Sequence, residues 1–349
     1  MHRFDYSFLR ESLPGNLSGL VGIIYDLRGR GEIRKEENRR VFEDLRQSAM
    51  VDSVRSSNAI EGIVTTAERA KALLRQDAPP LNHDEQEILG YRNALAEIYS
   101  GSEHLEVSGE LAKHFHFLME QNAAADAGQY KQENNWIQER TPEGSIRVRF
   151  VPVSAKDTEE AMNQWTMAYR EARQDSRING LLLTACAIVD FLCIHPFRDG
   201  NGRVSRLLTS LFLLKEGFDI GRYVSVEKKI NDYKYGYYEA LKVSSRGWHE
   251  NENSYEPFIT YLLQILYACY KEMDEKFISR SVNRKSKSKL VENTLLQCFV
   301  PVSKAEIAER LPEISVTTIE RVLGQMVKEG IVVKIGENRG ARYMRKSEL

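Results

Sequence analysis

Apolar residues recur every three or four positions over most of the chain, the period of helices that bury one side. The spacing predicts a helix over about Asn38 to Val54. Thr65-Thr66-Ala67-Glu68 reads as a capping box that starts another, with Thr65 capping the Glu68 amide and Glu68 reaching back. Asn82 or His83 can cap a third, whose apolar face is Ile88, Tyr91, Leu95 and Ile98. Ser154-Ala155-Lys156-Asp157 opens a further helix on which Ala161, Trp165, Ala168, Tyr169 and Ala172 recur. Leu181 to Cys193 is apolar all round, so it reads as a helix buried on every side.

One stretch breaks this rhythm. Between Gln132 and Pro152, two short runs, Asn134-Asn135-Trp136-Ile137 and Ile146-Arg147-Val148-Arg149-Phe150, flank Thr141-Pro142-Glu143-Gly144. Strand-like runs around a Pro/Gly turn predict a β-hairpin. Toward the C-terminus, residues 279–289 are polar and basic and read as a linker. Beyond it, helical patterns cover Leu290 to Phe299, Lys304 to Arg310 and Val316 to Glu329. Strand runs follow at Ile331 to Ile335 and Ala341 to Met344, which is the order of a winged helix. The expected fold is therefore mainly α. Its divisions are an N-terminal helical region (1–100), a helical core with the hairpin (101–278), the linker (279–289) and a winged-helix-like domain (290–349).

Composition narrows the class. With 28% charged residues and a net charge of -1, the chain is an ordinary globular protein and cannot bind nucleic acid along its whole length. Charge is segregated only after Ser281, where thirteen Lys/Arg face eight Asp/Glu, a net of +5. Cys186, Cys193, Cys269 and Cys298 are far apart and show no metal or redox spacing, so reduced core thiols are expected. The first residues do not resemble a signal peptide, and a bilayer span needs about 20 apolar residues. Leu181 to Cys193 falls short of that. A cytoplasmic protein without a membrane span is expected.

Chemistry concentrates in His195-Pro196-Phe197-Arg198-Asp199-Gly200-Asn201-Gly202-Arg203-Val204-Ser205-Arg206, a polar loop between two apolar helices. Gly200 and Gly202 permit close approach of a ligand, and successive amides there can form an anion nest at a helix start. Arg203 and Arg206 add cations suited to phosphate. Asp199, the only carboxylate of the loop, suits Mg²⁺ better than zinc. His195 stands where an imidazole could take a proton from an attacking hydroxyl.

This loop resembles the signature of the Fic family, H-P-F-x-[D/E]-G-N-G-R-x-x-R, at every specified position. The resemblance extends over roughly Phe4 to Tyr270. It implies an enzyme that transfers AMP from ATP to a Tyr, Thr or Ser hydroxyl of a protein target, itself included, with Mg²⁺. His195 would be the general base and Phe197 the core anchor. Asp199 would hold the metal, and Gly200, Asn201, Gly202, Arg203 and Arg206 the triphosphate. Gly128-Gln129-Tyr130-Lys131 resembles the lead into the family's target-docking flap, the hairpin inferred above, whose first strand includes Trp136, Ile137 and Gln138. Arginine is commoner than lysine at position 131. Ile230-Asn231-Asp232-Tyr233 and the run from Tyr237-Tyr238 resemble the segment that closes on adenine, although packing alone would also account for both tyrosines.

Ser56-Ser57-Asn58-Ala59-Ile60-Glu61-Gly62 matches the family's inhibitory motif, [S/T]-x-x-x-E-[G/N], through Ser57, Glu61 and Gly62. Without the catalytic loop, Ser57 would read as a helix cap and Glu61 as a solvated carboxylate. The resemblance implies instead that Glu61 pairs with Arg206 and keeps it from the γ-phosphate. Two other readings stay open: an enzyme that mainly removes AMP from modified protein, and a transcriptional regulator that only senses a nucleotide. In the C-terminal domain, Ser315 to Arg321 would begin the recognition helix, with Arg339 and Arg342 on the wing. That helix carries Glu320 and Glu329 beside Arg321 and Lys328, so a dimerisation or partner-binding role is preferred to DNA binding.

Overall fold

The structure, a computed structural model, describes residues 2–11, 15–75, 78–122, 124–140, 144–296, 298, 301–337 and 340–346. The chain divides into two compact units, Met1–Met273 and Asp274–Leu349. Its helices are α1 Gly15–Glu37, α2 Arg39–Ile60, α3 Ala67–Leu74, α4 His83–Gly101, α5 Gly109–Glu120, α6 Thr158–Gln174, α7 Gly180–Ile194 and α8 Asn201–Lys215. They continue with α9 Val226–Asp232, α10 Lys234–Ser244, α11 Glu256–Leu296, α12 Lys304–Arg310 and α13 Val316–Lys328. Among the described residues five short strands accompany them: β1 Ile137–Arg140, β2 Ile146–Phe150, β3 Val302–Ser303, β4 Val332–Ile335 and β5 Arg342–Arg345. No helix of the described residues is long and apolar enough to cross a membrane.

In the first unit α7 is the central rod. Leu181 through Ile194 are all buried, as expected of a helix with no polar face. It packs on α6 and α8, and α8 in turn packs on α4 and α5. The stripe predicted for α6 faces inward: Ala161, Trp165, Tyr169 and Ala172 are buried, and the Trp165 indole donates to the Ala187 carbonyl at 2.9 Å. Burying each large apolar side chain of this kind contributes roughly 1.5–3 kcal/mol. Ile88, Tyr91, Leu95 and Ile98 likewise form the inner face of α4.

Two helix starts and one helix end differ from expectation. Thr66, not Thr65, caps α3, its hydroxyl accepting from the Arg69 amide at 3.1 Å. Ser154 makes no backbone cap; its hydroxyl bonds the Asp157 carboxylate at 2.5 Å, and a short 3₁₀ turn precedes α6. The helix expected from Asn38 to Val54 runs on to Ile60, because nothing between Val54 and Ile60 breaks it, and so Ser57 lies inside α2. Asn82 caps α4 as read from the sequence. The hairpin forms from β1 and β2 paired antiparallel; residues 141–143 of its turn lie outside the described residues.

The expected linker at 279–289 is helical instead, part of α11. Its Lys, Arg and Ser residues include no Gly or Pro, so charge alone did not interrupt the helix. In the second unit α12 and α13 pack together beside a three-stranded sheet ordered β3-β5-β4. The sequence showed only two of these strands. β3 is two residues long and leads into Ser303, whose capping box with Glu306 starts α12. Ile307, Ile319, Leu323 and Val332 are among the buried residues of this unit's core. Phe299 and Arg339 lie outside the described residues.

Candidate active site

The loop between α7 and α8 is shaped by its own side chains. Asn201 folds back on Phe197, accepting from its amide at 2.9 Å and donating to its carbonyl at 2.8 Å. Phe197 is wholly buried and stacks on His116, with ring centroids 4.1 Å apart. Gly200 adopts φ 73°, a conformation glycine takes without strain, and its amide donates to Asp199 at 2.6 Å. Hence α8 starts at Asn201 with its first amides beside the loop.

His195 ends α7 in the left-handed region, φ 52° and ψ 60°. For a residue with a Cβ this costs about 1–2 kcal/mol, so the surroundings must hold it there. Its Nδ1 lies 3.2 Å from the Leu192 carbonyl, a contact that favours the tautomer with the proton on Nδ1 and leaves Nε2 to accept one. Burial, helped by the charge of Lys131, lowers the imidazole to about 4. It is neutral at pH 7.

A pocket of the first unit is lined by His195, Asp199, Asn201, Gly202, Arg206 and Glu61 on one side. Ile137, Arg149 and Phe150 of the hairpin and Tyr237 and Tyr238 of α10 complete it. Arg206 is 2% exposed, and three contacts fix it: Nε donates to Ser57 Oγ at 2.8 Å, Nη2 to the Ser57 carbonyl at 2.9 Å, and Nη2 to Glu61 Oε1 at 2.8 Å. Its Nη1 is buried with no partner among the described residues. Glu61 follows the end of α2, and Gly62 turns the chain away at φ 95°.

The predicted residues therefore separate into two sets. His195, Asp199, Asn201, Gly202, Arg206, Glu61, Ile137, Tyr237 and Tyr238 line the pocket, and Ser57 orients Arg206. Trp136 and Gln138 are exposed and do not line it, because they precede and alternate with Ile137 along the strand. Arg203 does not line it either. Its guanidinium is buried between Glu87 of α4 and Glu120 of α5, the latter at 2.8 Å, so it ties three helices together.

Sequence reasoning missed those two carboxylates, although each carried a signal. Glu87 lies one turn before Tyr91 on the apolar stripe of α4, and Glu120 lies on that of α5 with His116. A carboxylate on an inward stripe needs a buried cation. It also missed Arg149, whose Nε is buried without a partner among the described residues and which brings a second guanidinium to the pocket from β2.

A model of the Fic/DOC family matches residues 106–213. Among curated proteins, the chain is 25% identical over 225 residues to a protein adenylyltransferase Fic of Nematostella vectensis, across 62% of this chain and 47% of that one. It is 30% identical over 112 residues to the protein of the same name in Aedes aegypti, across 32% and 20%. The matches thus span less than half the length of these relatives. In fold, the chain is similar to a Fic family protein from Desulfovibrio desulfuricans G20, with a TM-score of 0.65 at 18% identity, covering 97% of this chain and 98% of that one. It is also similar to a Fic domain containing signaling protein from Bacteroides thetaiotaomicron, with a TM-score of 0.58 at 18% identity, covering 76% and 98%. Over residues 106–213, the chain carries a domain of the Fic/DOC family.

Proposed function

We propose that this protein transfers AMP from ATP to a hydroxyl of a protein target, and that Glu61 restrains the reaction. The observation that carries the reading is one pocket holding a neutral His195, the Asp199 carboxylate and a buried Arg206 with one nitrogen unpaired among the described residues. An orphaned, buried guanidinium nitrogen fits a triphosphate oxygen, and a lone loop carboxylate fits Mg²⁺. Asp199 would hold that ion, which neutralises phosphate charge when bound.

His195 Nε2 takes the proton as the hydroxyl oxygen attacks the α-phosphorus. The bond from that phosphorus to the oxygen bridging the β-phosphate breaks, and pyrophosphate leaves. Asn201 keeps the loop closed on Phe197, so the α8 amides stay turned to the phosphates. Catalysis is mainly positioning and charge stabilisation. With Glu61 on Arg206, the γ-phosphate loses its cation and meets a carboxylate. The names of the Nematostella and Aedes relatives support the activity, and the Glu61–Arg206 contact supports the restraint.

A second reading rests on Glu61 sharing the pocket with His195: there it can orient a water that removes AMP from modified protein. Incubation of wild-type and Glu61→Gly protein with α-labelled ATP and Mg²⁺ separates the two. Label gained by Glu61→Gly supports transfer. Label lost from pre-modified target only in the wild type supports removal. No label in any variant would leave a nucleotide sensor. For residues 274–349 we favour a partner-binding module over a DNA reader. On α13, Glu320 pairs with Lys304 at 2.6 Å and Arg321 donates to Ser288 Oγ at 2.8 Å, so two of that helix's three charged residues, the third being Lys328, are already engaged within the unit.

A further inference from the structure

The last turn of α7 has carbonyls that no later turn can satisfy. Their partners come largely from the two roots of the hairpin. The Val153 amide, after β2, donates to the Cys193 carbonyl at 3.3 Å. Before β1, the Lys131 amide donates to the Pro196 carbonyl at 2.9 Å. The Lys131 ammonium donates to Ile194 O at 3.1 Å, to His195 O at 2.9 Å and to Asn135 Oδ1 at 2.9 Å. Asn135 Nδ2 in turn donates to the Phe197 carbonyl at 3.0 Å. All three protons of one ammonium are used, in a site where Lys131 is only 3% exposed.

We propose that Lys131 is the positioning residue of His195, its ammonium bridging the carbonyls of Ile194 and His195 to Asn135 and so holding His195 in its left-handed conformation. The inference rests on the reading of His195 as general base. A cation at a helix C-terminus meets the negative end of the helix dipole, and here it also satisfies two orphan carbonyls. A buried lysine is expensive unless its donors are all met, as these are. The same ammonium disfavours a second positive charge on the imidazole beside it. Lys131 therefore serves both the place and the charge state of His195, and it joins the root of the hairpin to the reacting group. Arginine presents a planar fork in place of three divergent donors, yet it can still span two carbonyls.

The test uses full-length protein in the Glu61→Gly background, with Lys131→Met and Lys131→Arg. Lys131→Met is expected to lower kcat roughly 100-fold, the cost of a reacting group displaced by about 1 Å. KM for ATP should stay within about twofold, and Lys131→Arg should recover most of the rate. Independently of activity, ¹⁵N spectra of the histidines, with His195 identified by comparison with His195→Ala, should show the Nδ1–H tautomer in the parent and in Lys131→Arg. That signature should be lost in Lys131→Met. If Lys131→Met loses its helical circular dichroism, Lys131→Gln, which keeps one amide donor, is read in the same way. An unchanged His195 spectrum, or a loss that falls on KM alone, would overturn the proposal. If no variant transfers AMP, the functional reading has failed, and the spectra alone decide the role of Lys131.

Discussion

Glu61 Oε1 occupies the space where a side chain at position 202 would begin: a Cβ built on Gly202 would overlap it. The absence of a side chain at Gly202 thus admits the carboxylate into the loop, beside the guanidinium it holds.

Replacing Glu61 with glycine is expected to raise AMP transfer, including self-modification, roughly 10- to 100-fold. A charge-assisted Arg–carboxylate hydrogen bond contributes about 1.5–3 kcal/mol, enough to decide which partner Arg206 takes. The gain should require Arg206, so Glu61→Gly/Arg206→Ala should return to low activity. Labelling with α-labelled ATP reads both variants. Unchanged transfer and unchanged removal in Glu61→Gly would leave Glu61 with no inhibitory role.

His195→Ala is expected to lose transfer by about 10²- to 10⁴-fold, the usual worth of a positioned base, while ATP still binds. Because burial holds the imidazole near 4, its neutral form persists well into acid. On the acid side, kcat/KM should stay level down to about pH 5 and fall as His195 protonates near 4. An acid limb centred near 6.5 would mean that His195 titrates as an exposed histidine and is not the base.

Arg203 should prove a determinant of stability. Removing it leaves Glu87 and Glu120 as buried carboxylates without their cation, a loss of about 3–5 kcal/mol by comparison with other broken buried pairs. Urea denaturation of Arg203→Leu measures this, and adding Glu87→Leu and Glu120→Leu should restore part of it. Were Arg203 instead a phosphate ligand, its loss would weaken ATP binding at unchanged stability.

Acid should weaken the fold before most carboxylates titrate. His2, His116 and His195 are each lowered by burial from 6.5 to about 4. Between those values the unfolded chain binds more protons, so stability falls as pH drops from about 6.5 toward 4. Asp190 acts the other way. Burial raises it from 3.8 to about 6 despite donors from Trp248, Tyr255 and Tyr6, so its contribution is fully present below 3.8 and is lost as pH rises through 6. Three groups against one leave a net loss on acidification, visible as a falling urea midpoint between pH 7 and pH 5. A midpoint that rose over this range would contradict the burial of these imidazoles.

The sequence exposed whatever depends on local pattern. The twelve residues from His195 to Arg206 carry their chemistry in order, and α7, α12 and the hairpin follow from hydropathy and turn residues. Contacts between distant segments were much harder to read. Arg203 and Arg206 are three residues apart and equally basic, yet one turns inward to Glu87 and Glu120 and the other faces the pocket. That choice depends on which helices pack against α8. The ammonium of Lys131 is explained by carbonyls 63 and 64 residues away, invisible to any periodicity. The helical run through 279–289 was misread because basic composition resembles a linker while imposing no break.

The two charges of the Glu61–Arg206 contact differ in where each can go. Arg206 is enclosed and, apart from Glu61, is still held by the Ser57 hydroxyl and carbonyl, whereas the Glu61 side chain is 34% exposed. Only the carboxylate has water to retreat into. Glu61 also stands after the last residue of α2, where a change of rotamer breaks no helical hydrogen bond. The contact can therefore open with the loop from His195 to Arg206 as the fixed jaw and one glutamate side chain as the moving one. The energy needed to part Glu61 from Arg206 is then that of a single half-hydrated ion pair, and a surface that offered Glu61 a better partner would supply it.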